Sequence, residues 1–310
     1  MFDQCQKPTF NNFTVPANKI AGIIEEPTGN VVLLSSDSIA YSISLKDEIL
    51  DSIQLFNGTK ILSFVEYEKE YWITTSDSHI YVIRPDLTIK KQFSIDKNAV
   101  SVAPLEDRTG LIISYFDEST QKSSYEYRSL PDFKVIATGF YGPESPVVSS
   151  VAFPYEGDLF LACCSKAELS LLKVEKGEIV NLQHYSGRTE GRELNYSQLL
   201  AESKRFLIDN MTGRVKPELA PAAYMEKICF FRNDEATHGA VDKRDNWIAF
   251  LNPSTLKLVN YDTKKSYKFE TKYQNPGHVK ILKYHVICAY TNEVTIYDFR
   301  RQSLKFIMEE

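Results

Sequence analysis

Apolar residues along this chain come in runs of strand length, parted by short polar turns. Residues 146–180 show it most clearly: PVVSSVAFPYEGDLFLACCSKAELSLLKVEKGEIV holds four apolar runs separated by PYEGD, SKAE and EKGE. In VVSSVAF, Val147, Ser149, Val151 and Phe153 share one strand face, and in LFLACC both faces are apolar. Polarity returns on alternate positions in LSLLKV and rises again in EIVNLQH. The gradient predicts an antiparallel meander buried on both faces at one side and wetter at its outer edge. A sheet wedged radially between two neighbours, as in a propeller blade, has this pattern.

The unit recurs. IAGIIEE, NVVLLSS, SIAYSISL and ILDSIQL fill residues 20–55, and KILSFVEY, EYWITTS, HIYVIRP and IKKQFSI fill 60–95. A third unit covers 99–140, and two more cover 238–271 and 278–309, the last ending in SLKFIME. The linking segments carry Asp, Glu, Asn, Gly, Lys and Pro, as hairpin turns require. The ends of the third strands serve as a ruler: Ile43, Ile83, Tyr127, Leu172, Tyr261 and Tyr297, spaced by 40, 44, 45, 89 and 36. The interval of 89 is about two periods, so one irregular unit is expected over residues 187–235, where a helix at 196–207 is an alternative. Seven units of this length predict an all-β fold, a seven-bladed β-propeller of four-stranded antiparallel blades. It forms one domain over residues 20–310. The preceding segment, 1–19, contains FNNFTVP, which is expected to add a strand to the last blade and clasp the ring. A complete protein and the propeller portion of a longer one fit this pattern equally.

Composition narrows the class. The 310 residues are 43% hydrophobic and 25% charged, as in a globular protein with a sizeable core. A net charge of −5 argues against a general nucleic-acid binder. No apolar run reaches the length of a membrane helix, about 18 residues. The start, MFDQCQKPTFNNFTVP, lacks the basic and apolar regions of a cleaved signal. Five cysteines, Cys5, Cys163, Cys164, Cys229 and Cys288, are odd in number and mostly lie in apolar runs. Buried free thiols in a reducing compartment follow, hence an intracellular protein, with cytoplasm and nucleus not distinguished.

The stretch PVVSSVAFPYEGDLFLACCSKAELSLLKVEKGE is similar to the WD-repeat consensus, with a strand–turn–strand register that needs no gap. Leu172-Lys173 stands where that family has Trp-Asp, and Ile83-Arg84, Tyr127-Arg128, Tyr261-Asp262 and Tyr297-Asp298 fill the slot elsewhere. Gly277-His278 looks like the family's Gly-His dipeptide. The buried His/Ser/Asp/Trp network of the family is intact in no unit. The resemblance implies a platform for binding other proteins, usually within a multi-subunit assembly and usually without catalysis.

Candidate chemistry is sparse. No pair among His79, His184, His238, His278 and His285 has metal-ligand spacing. Cys163 and Cys164 are adjacent and point to opposite strand faces, and no CxxC occurs. No phosphate loop or nucleophile elbow is found. The first strands AGII, ILSF, VSVAP, VSSVAF and VKIL are nearly free of charge until their ends, against a charged active site in a central channel. No cofactor, metal or catalytic residue is expected.

The strand ends are more informative. Glu25, Glu26, Glu66, Glu68, Glu106, Asp107, Glu156 and Asp158 fall at first-to-second-strand turns, and Asp47, Glu48, Asp86, Asp132, Glu175 and Glu178 at third-to-fourth-strand turns. In the last two units the corresponding positions hold Lys243, Arg244, Lys264, Lys265, Lys283, Arg300 and Arg301. Residues 237–310 hold 12 Lys/Arg and 8 Asp/Glu, net +4, which leaves −9 for residues 1–236 of the −5 total. The plain reading is that turns are solvated and charged in most proteins. The sharper one is a polarised face that steers a partner of complementary pattern. Its contact residues are Lys264, Lys265, Arg300 and Arg301 on the basic side and Glu25, Glu26, Glu66 and Glu68 on the acidic side. Arg188 and Arg192 in the irregular segment join them, since loops that break a repeat are where function tends to be grafted. The expected function is a non-catalytic scaffold or adaptor subunit of a multi-protein complex. The alternative is a non-catalytic subunit of a nucleic-acid-binding or RNA-modifying complex, which the basic C-terminal units support weakly. Phe299-Arg300-Arg301-Gln302 resembles the Phe-Arg-Arg-Gly motif of phosphoinositide-binding propellers, with Gln302 in place of the glycine and the motif in a different blade. That reading and a propeller enzyme rank lower.

Overall fold

A computed structural model gives the structure of the chain. It describes residues 9–46, 48–67, 69–105, 109–130, 132–141, 147–155, 158–165, 168–175, 178–186, 240–244, 247–251, 255–260, 266–271 and 277–300. Side chains of 141 and 147–186 and of a few positions between 240 and 266 are outside this description. Six four-stranded antiparallel sheets fill the described residues. The irregular unit expected over 187–235 lies outside them, as do Tyr261-Asp262 and residues 301–310.

After β1 (Thr9–Thr14), the first sheet is β2 (Ile20–Glu25), β3 (Val31–Ser35), β4 (Ile39–Ile43) and β5 (Ile49–Gln54). The second is β6 (Ile61–Tyr67), β7 (Glu70–Thr75), β8 (His79–Ile83) and β9 (Ile89–Ser94). The third is β10 (Ser101–Pro104), β11 (Gly110–Asp117), β12 (Lys122–Ser129) and β13 (Val135–Tyr141), and the fourth is β14 (Val147–Tyr155), β15 (Asp158–Ser165), β16 (Glu168–Glu175) and β17 (Glu178–Ser186). The fifth is β18 (Ala240–Arg244), β19 (Trp247–Leu251), β20 (Thr255–Asn260) and β21 (Ser266–Glu270). The sixth runs β22 (His278–Ile281), β23 (His285–Ala289), β24 (Glu293–Asp298), and its fourth place belongs to β1, which pairs antiparallel with β24 from Thr9↔Asp298 to Thr14↔Glu293.

The burial gradient predicted from the sequence is present within sheets. In the first, β3 is buried at every position and β5 is exposed at every position. Register shifts between third and fourth strands fall at Ser42/Ile43, Val82/Ile83, Tyr127/Arg128 and Leu171/Leu172. Four of the six ruler residues therefore mark a β-bulge, which bends the strand just before its last turn. The second-to-third-strand turns repeat too. Ser36-Asp37-Ser38 and Ser76-Asp77-Ser78 are three-residue loops whose third residue is left-handed, φ 63° at Ser38 and 60° at Ser78. That geometry matches the hairpin twist.

The chain divides into two compact units. The first contains residues 1–61, 85–88 and 238–310, hence the first, fifth and sixth sheets. Its core holds two apolar clusters: Trp247, Leu256, Leu258, Val286, Cys288 and Phe299 with their neighbours, and Ile20, Leu33, Ile43, Leu282, Val294 and Ile296 with theirs. The second unit holds the other three sheets, with a cluster built on Trp72, Val82, Phe93, Val102, Leu111 and Tyr115.

Candidate interaction face

In a meander the first-to-second and third-to-fourth turns share one end of the sheet. In the first unit this end holds Glu25, Glu26, Arg244, Asp298 and Arg300. Three first strands meet there. β18 carries Asp242 and Arg244, which as i and i+2 neighbours point to one face. Asp242, 7% exposed, accepts a 2.7 Å hydrogen bond at Oδ2 from the backbone N–H of Ile281, at the end of β22. Arg244 Nη1 donates to the carbonyl of the same residue at 3.1 Å and to Glu25 Oε2, at the end of β2, at 2.6 Å. An innermost strand has a free edge with N–H and C=O groups that no ladder satisfies. Here one peptide residue of that edge is satisfied on both sides by side chains of the neighbouring sheet, and the same guanidinium reaches a third sheet. Asp242 was not among the expected site residues. The sequence signal was available: DKR puts three consecutive charges in one first strand, where each other first strand among the described residues holds at most one Lys, Arg, Asp or Glu.

The expected contact residues divide as follows. The segment charges put Glu25 and Arg244 on opposite sides of a polarised face, whereas the structure joins them as an ion pair, with side chains 29% and 25% exposed. Glu26 is engaged locally. Its carboxylate accepts from Thr28 Oγ1, and its backbone forms the β2–β3 turn with Gly29, whose φ of +84° suits glycine. Glu66 lies exposed on β6 of the second unit. Arg300 donates through Nε to both oxygens of Asp298, at 3.0 and 2.9 Å, and stays largely exposed. These bonds hold the Asp298 carboxyl below the usual carboxylate range and raise Arg300 further. His285 Nε2 stands 3.9 Å from Asp298, and burial holds its pKa down. Glu68, Lys264, Lys265, Arg301, Arg188 and Arg192 lie outside the described residues.

Two further groups are distinctive. His278, of the Gly-His dipeptide, is packed beside Ile20 and Lys19. Desolvation lowers its pKa to about 4, the Lys19 charge adding in the same direction. In the second unit Arg128, in the slot of the WD-repeat aspartate, is 8% exposed and bonds Glu126 at 2.8 Å through Nε. Tyr115 donates to the same carboxylate at 3.0 Å, and Arg128 lies 4.6 Å over the Phe133 ring. Burial, and then the Glu126 charge, push the Tyr115 hydroxyl pKa up. Polar ties thus add to the apolar packing between neighbouring strands, though not those of the WD-repeat network. Cys288 is a free, fully buried thiol whose pKa burial raises. Among the described residues no cluster of three metal-ligating side chains occurs, and no helix is long and apolar enough to cross a membrane.

No family model matches the sequence, and no curated protein matches it. The fold does have counterparts. The WD40 domain of Neurospora crassa Pan2 superposes with a TM-score of 0.54 at 6% identity, covering 98% of this chain and 99% of that one. At that identity the likeness concerns the fold alone: an all-β, WD40-like propeller. With 1082 solved chains matching, the architecture is too widely shared to name a function.

Proposed function

We propose that this WD40-like chain is a non-catalytic interaction scaffold, an intracellular adaptor subunit that holds protein partners in a complex through its charged turn face. The observation that supports it best is the Arg244 clamp. Charged groups at the strand ends are fixed by bonds to backbone and to each other, on short turns of a WD40-like frame. Groups ordered before binding lose little entropy when a partner docks and present a constant charge pattern. In the first unit Lys264, Lys265, Arg300 and Arg301 form the proposed basic contact, and in the second Glu66, Glu68, Arg188 and Arg192 are proposed as contact residues of their own. No cofactor takes part.

The test is affinity purification of the full chain beside its Lys264→Glu, Lys265→Glu, Arg300→Glu, Arg301→Glu variant, with mass spectrometry of what copurifies. The reading expects a set of proteins recovered by the wild type and depleted with the variant. Equal recovery by both would remove the basic face from the account. Recovery of RNA whose binding falls steeply with salt would favour the nucleic-acid alternative.

A further inference from the structure

Glu25 and Arg300 mark one end of the first and sixth sheets. The opposite end, where second strands turn into third strands, holds an open cavity of about 440 Å³. Its lining comes from three segments of the first unit: the linker from β1 to β2, the β3–β4 turn and the β23–β24 turn. The linker is held on both sides. Val15, fully buried, donates its N–H to the carbonyl of Asn292 at 2.9 Å, and Ile20 donates to the carbonyl of Thr291 at 2.7 Å. Toward the first sheet, the Ser36 N–H bonds the carbonyl of Lys19 at 2.7 Å, and the hydroxyl of Tyr41 bonds the carbonyl of Pro16 at 2.8 Å. The Ala17 N–H closes a tight turn on the Val15 carbonyl at 2.8 Å. This wall is ordered without a ligand, so little entropy is lost when one enters.

The lining is of two kinds. Val15, Pro16 and Ala17 are apolar, and Asn18, Asp37 and Asn292 are polar. The Asp37 carboxylate accepts one hydrogen bond, from Asn18 Nδ2 at 2.9 Å, and no Lys, Arg or His among the described residues pairs with it. The Asn18 side-chain oxygen and the Asn292 side chain hold no hydrogen bond among the described residues. One carboxylate with neutral amides is a poor set for calcium, which takes about 6–8 oxygen ligands, carboxylates prominent among them. It suits an organic monocation. An apolar wall beside a polar one fits a side chain with an aliphatic stem and a charged head. The acceptors come from three segments, so a guanidinium, with donors fanned out in a plane, reaches more of them than a point charge does. No cationic side chain lines the cavity to meet the carboxylate of a free amino acid.

We propose that this cavity receives an arginine side chain of a protein partner, its stem against Pro16 and Ala17 and its guanidinium at Asp37. The site lies at the other end of the sheets from the charged turn face and does not depend on it.

Titration of the full chain with N-acetyl-arginine methylamide, followed by amide NMR, tests this. The amides of Ala17, Asn18, Asp37 and Asn292 should shift together, and Asp37→Asn should weaken binding about tenfold. The citrulline counterpart has the same shape without the charge and should leave these amides in place. The lysine counterpart and free arginine should both bind more weakly than the capped arginine. The proposal fails if the capped arginine shifts none of these amides, if citrulline binds equally well, or if Asp37→Asn binds as the wild type does. Equal binding of the lysine counterpart, or tighter binding of free arginine, overturns the assignment to an arginine within a chain. Displacement of the probe by calcium chloride would make this a metal site and overturn it too. If Asp37→Asn does not fold, the citrulline comparison on the wild type decides alone.

Discussion

Replacing Asp242 by alanine removes the acceptor that satisfies the Ile281 N–H at the free edge of β22. The bond is 2.7 Å long, charge-assisted, and lies where the carboxylate is 7% exposed, so water does not readily replace it. Leaving a buried donor unsatisfied costs about 1–3 kcal/mol, with the upper part of that range for a charged partner. Arg244 stays behind with Glu25 and the Ile281 carbonyl as partners, so its charge is not orphaned. We expect Asp242→Ala to lose about 2–3 kcal/mol, which in a chain of this size lowers Tm by roughly 5 °C. Asp242→Asn keeps an acceptor oxygen in place and should lose about half as much. Urea titration and thermal melting of the three proteins provide the values, and hydrogen exchange at the Ile281 amide provides the location. A melting temperature for Asp242→Ala equal to that of the wild type would refute the reasoning. So would equal losses for Ala and Asn with the Ile281 amide still protected.

A double-mutant cycle on Glu25→Ala and Arg244→Ala should show a coupling of about 0.5–1 kcal/mol, small because both side chains are partly solvated, and shrinking with added salt. In the second unit, Arg128→Ala strands the Glu126 carboxylate in a largely buried site. It should cost about 3 kcal/mol by urea titration, and Arg128→Ala with Glu126→Leu should recover part of that. His278 gives a pH test. Its folded pKa of about 4 lies below the ordinary 6.5, so the unfolded chain takes up the proton first as pH falls. Stability is therefore full above pH 6.5 and declines between 6.5 and 4. The shift alone would remove about 3 kcal/mol; the ring keeps some exposed surface, so we expect about 2. His278→Gln should flatten this part of the urea-midpoint profile, and a profile unchanged by the substitution would contradict the assignment.

The repeat was legible because backbone geometry imposes it. Ile43, Ile83 and Leu172 are aliphatic and Tyr127 is aromatic, none of them the tryptophan of the WD-repeat pattern, yet each sits at the register shift that precedes the last turn of its sheet. A bulge recurs at a fixed place in the unit whatever side chain occupies it, so spacing found what a motif search on Trp-Asp could not. Strand order followed from the same turns. The candidate face was less legible. Glu25 and Arg244 are 219 positions apart, and nothing in either neighbourhood announces that their sheets meet. Charge counted by segment placed them on opposite sides of a field, whereas one ion pair joins them. Arg128 shows the converse: a cation in the slot where the WD-repeat pattern has an aspartate looked like a loss of the polar network, and it is instead the centre of a local one with Glu126 and Tyr115. FNNFTVP, expected to add a strand to the last unit, does so as β1 on the edge of β24, whereas SLKFIM lies outside the described residues.

The central claim is that the turn face meets a protein partner through its charge pattern. The most direct test is the association rate of a recovered partner across a range of salt concentrations, for the wild type and for the Lys264→Glu, Lys265→Glu, Arg300→Glu, Arg301→Glu variant. The account predicts slower association by the variant at low salt and a flatter salt dependence, with dissociation little changed. Identical rates and identical salt slopes for the two proteins would contradict it.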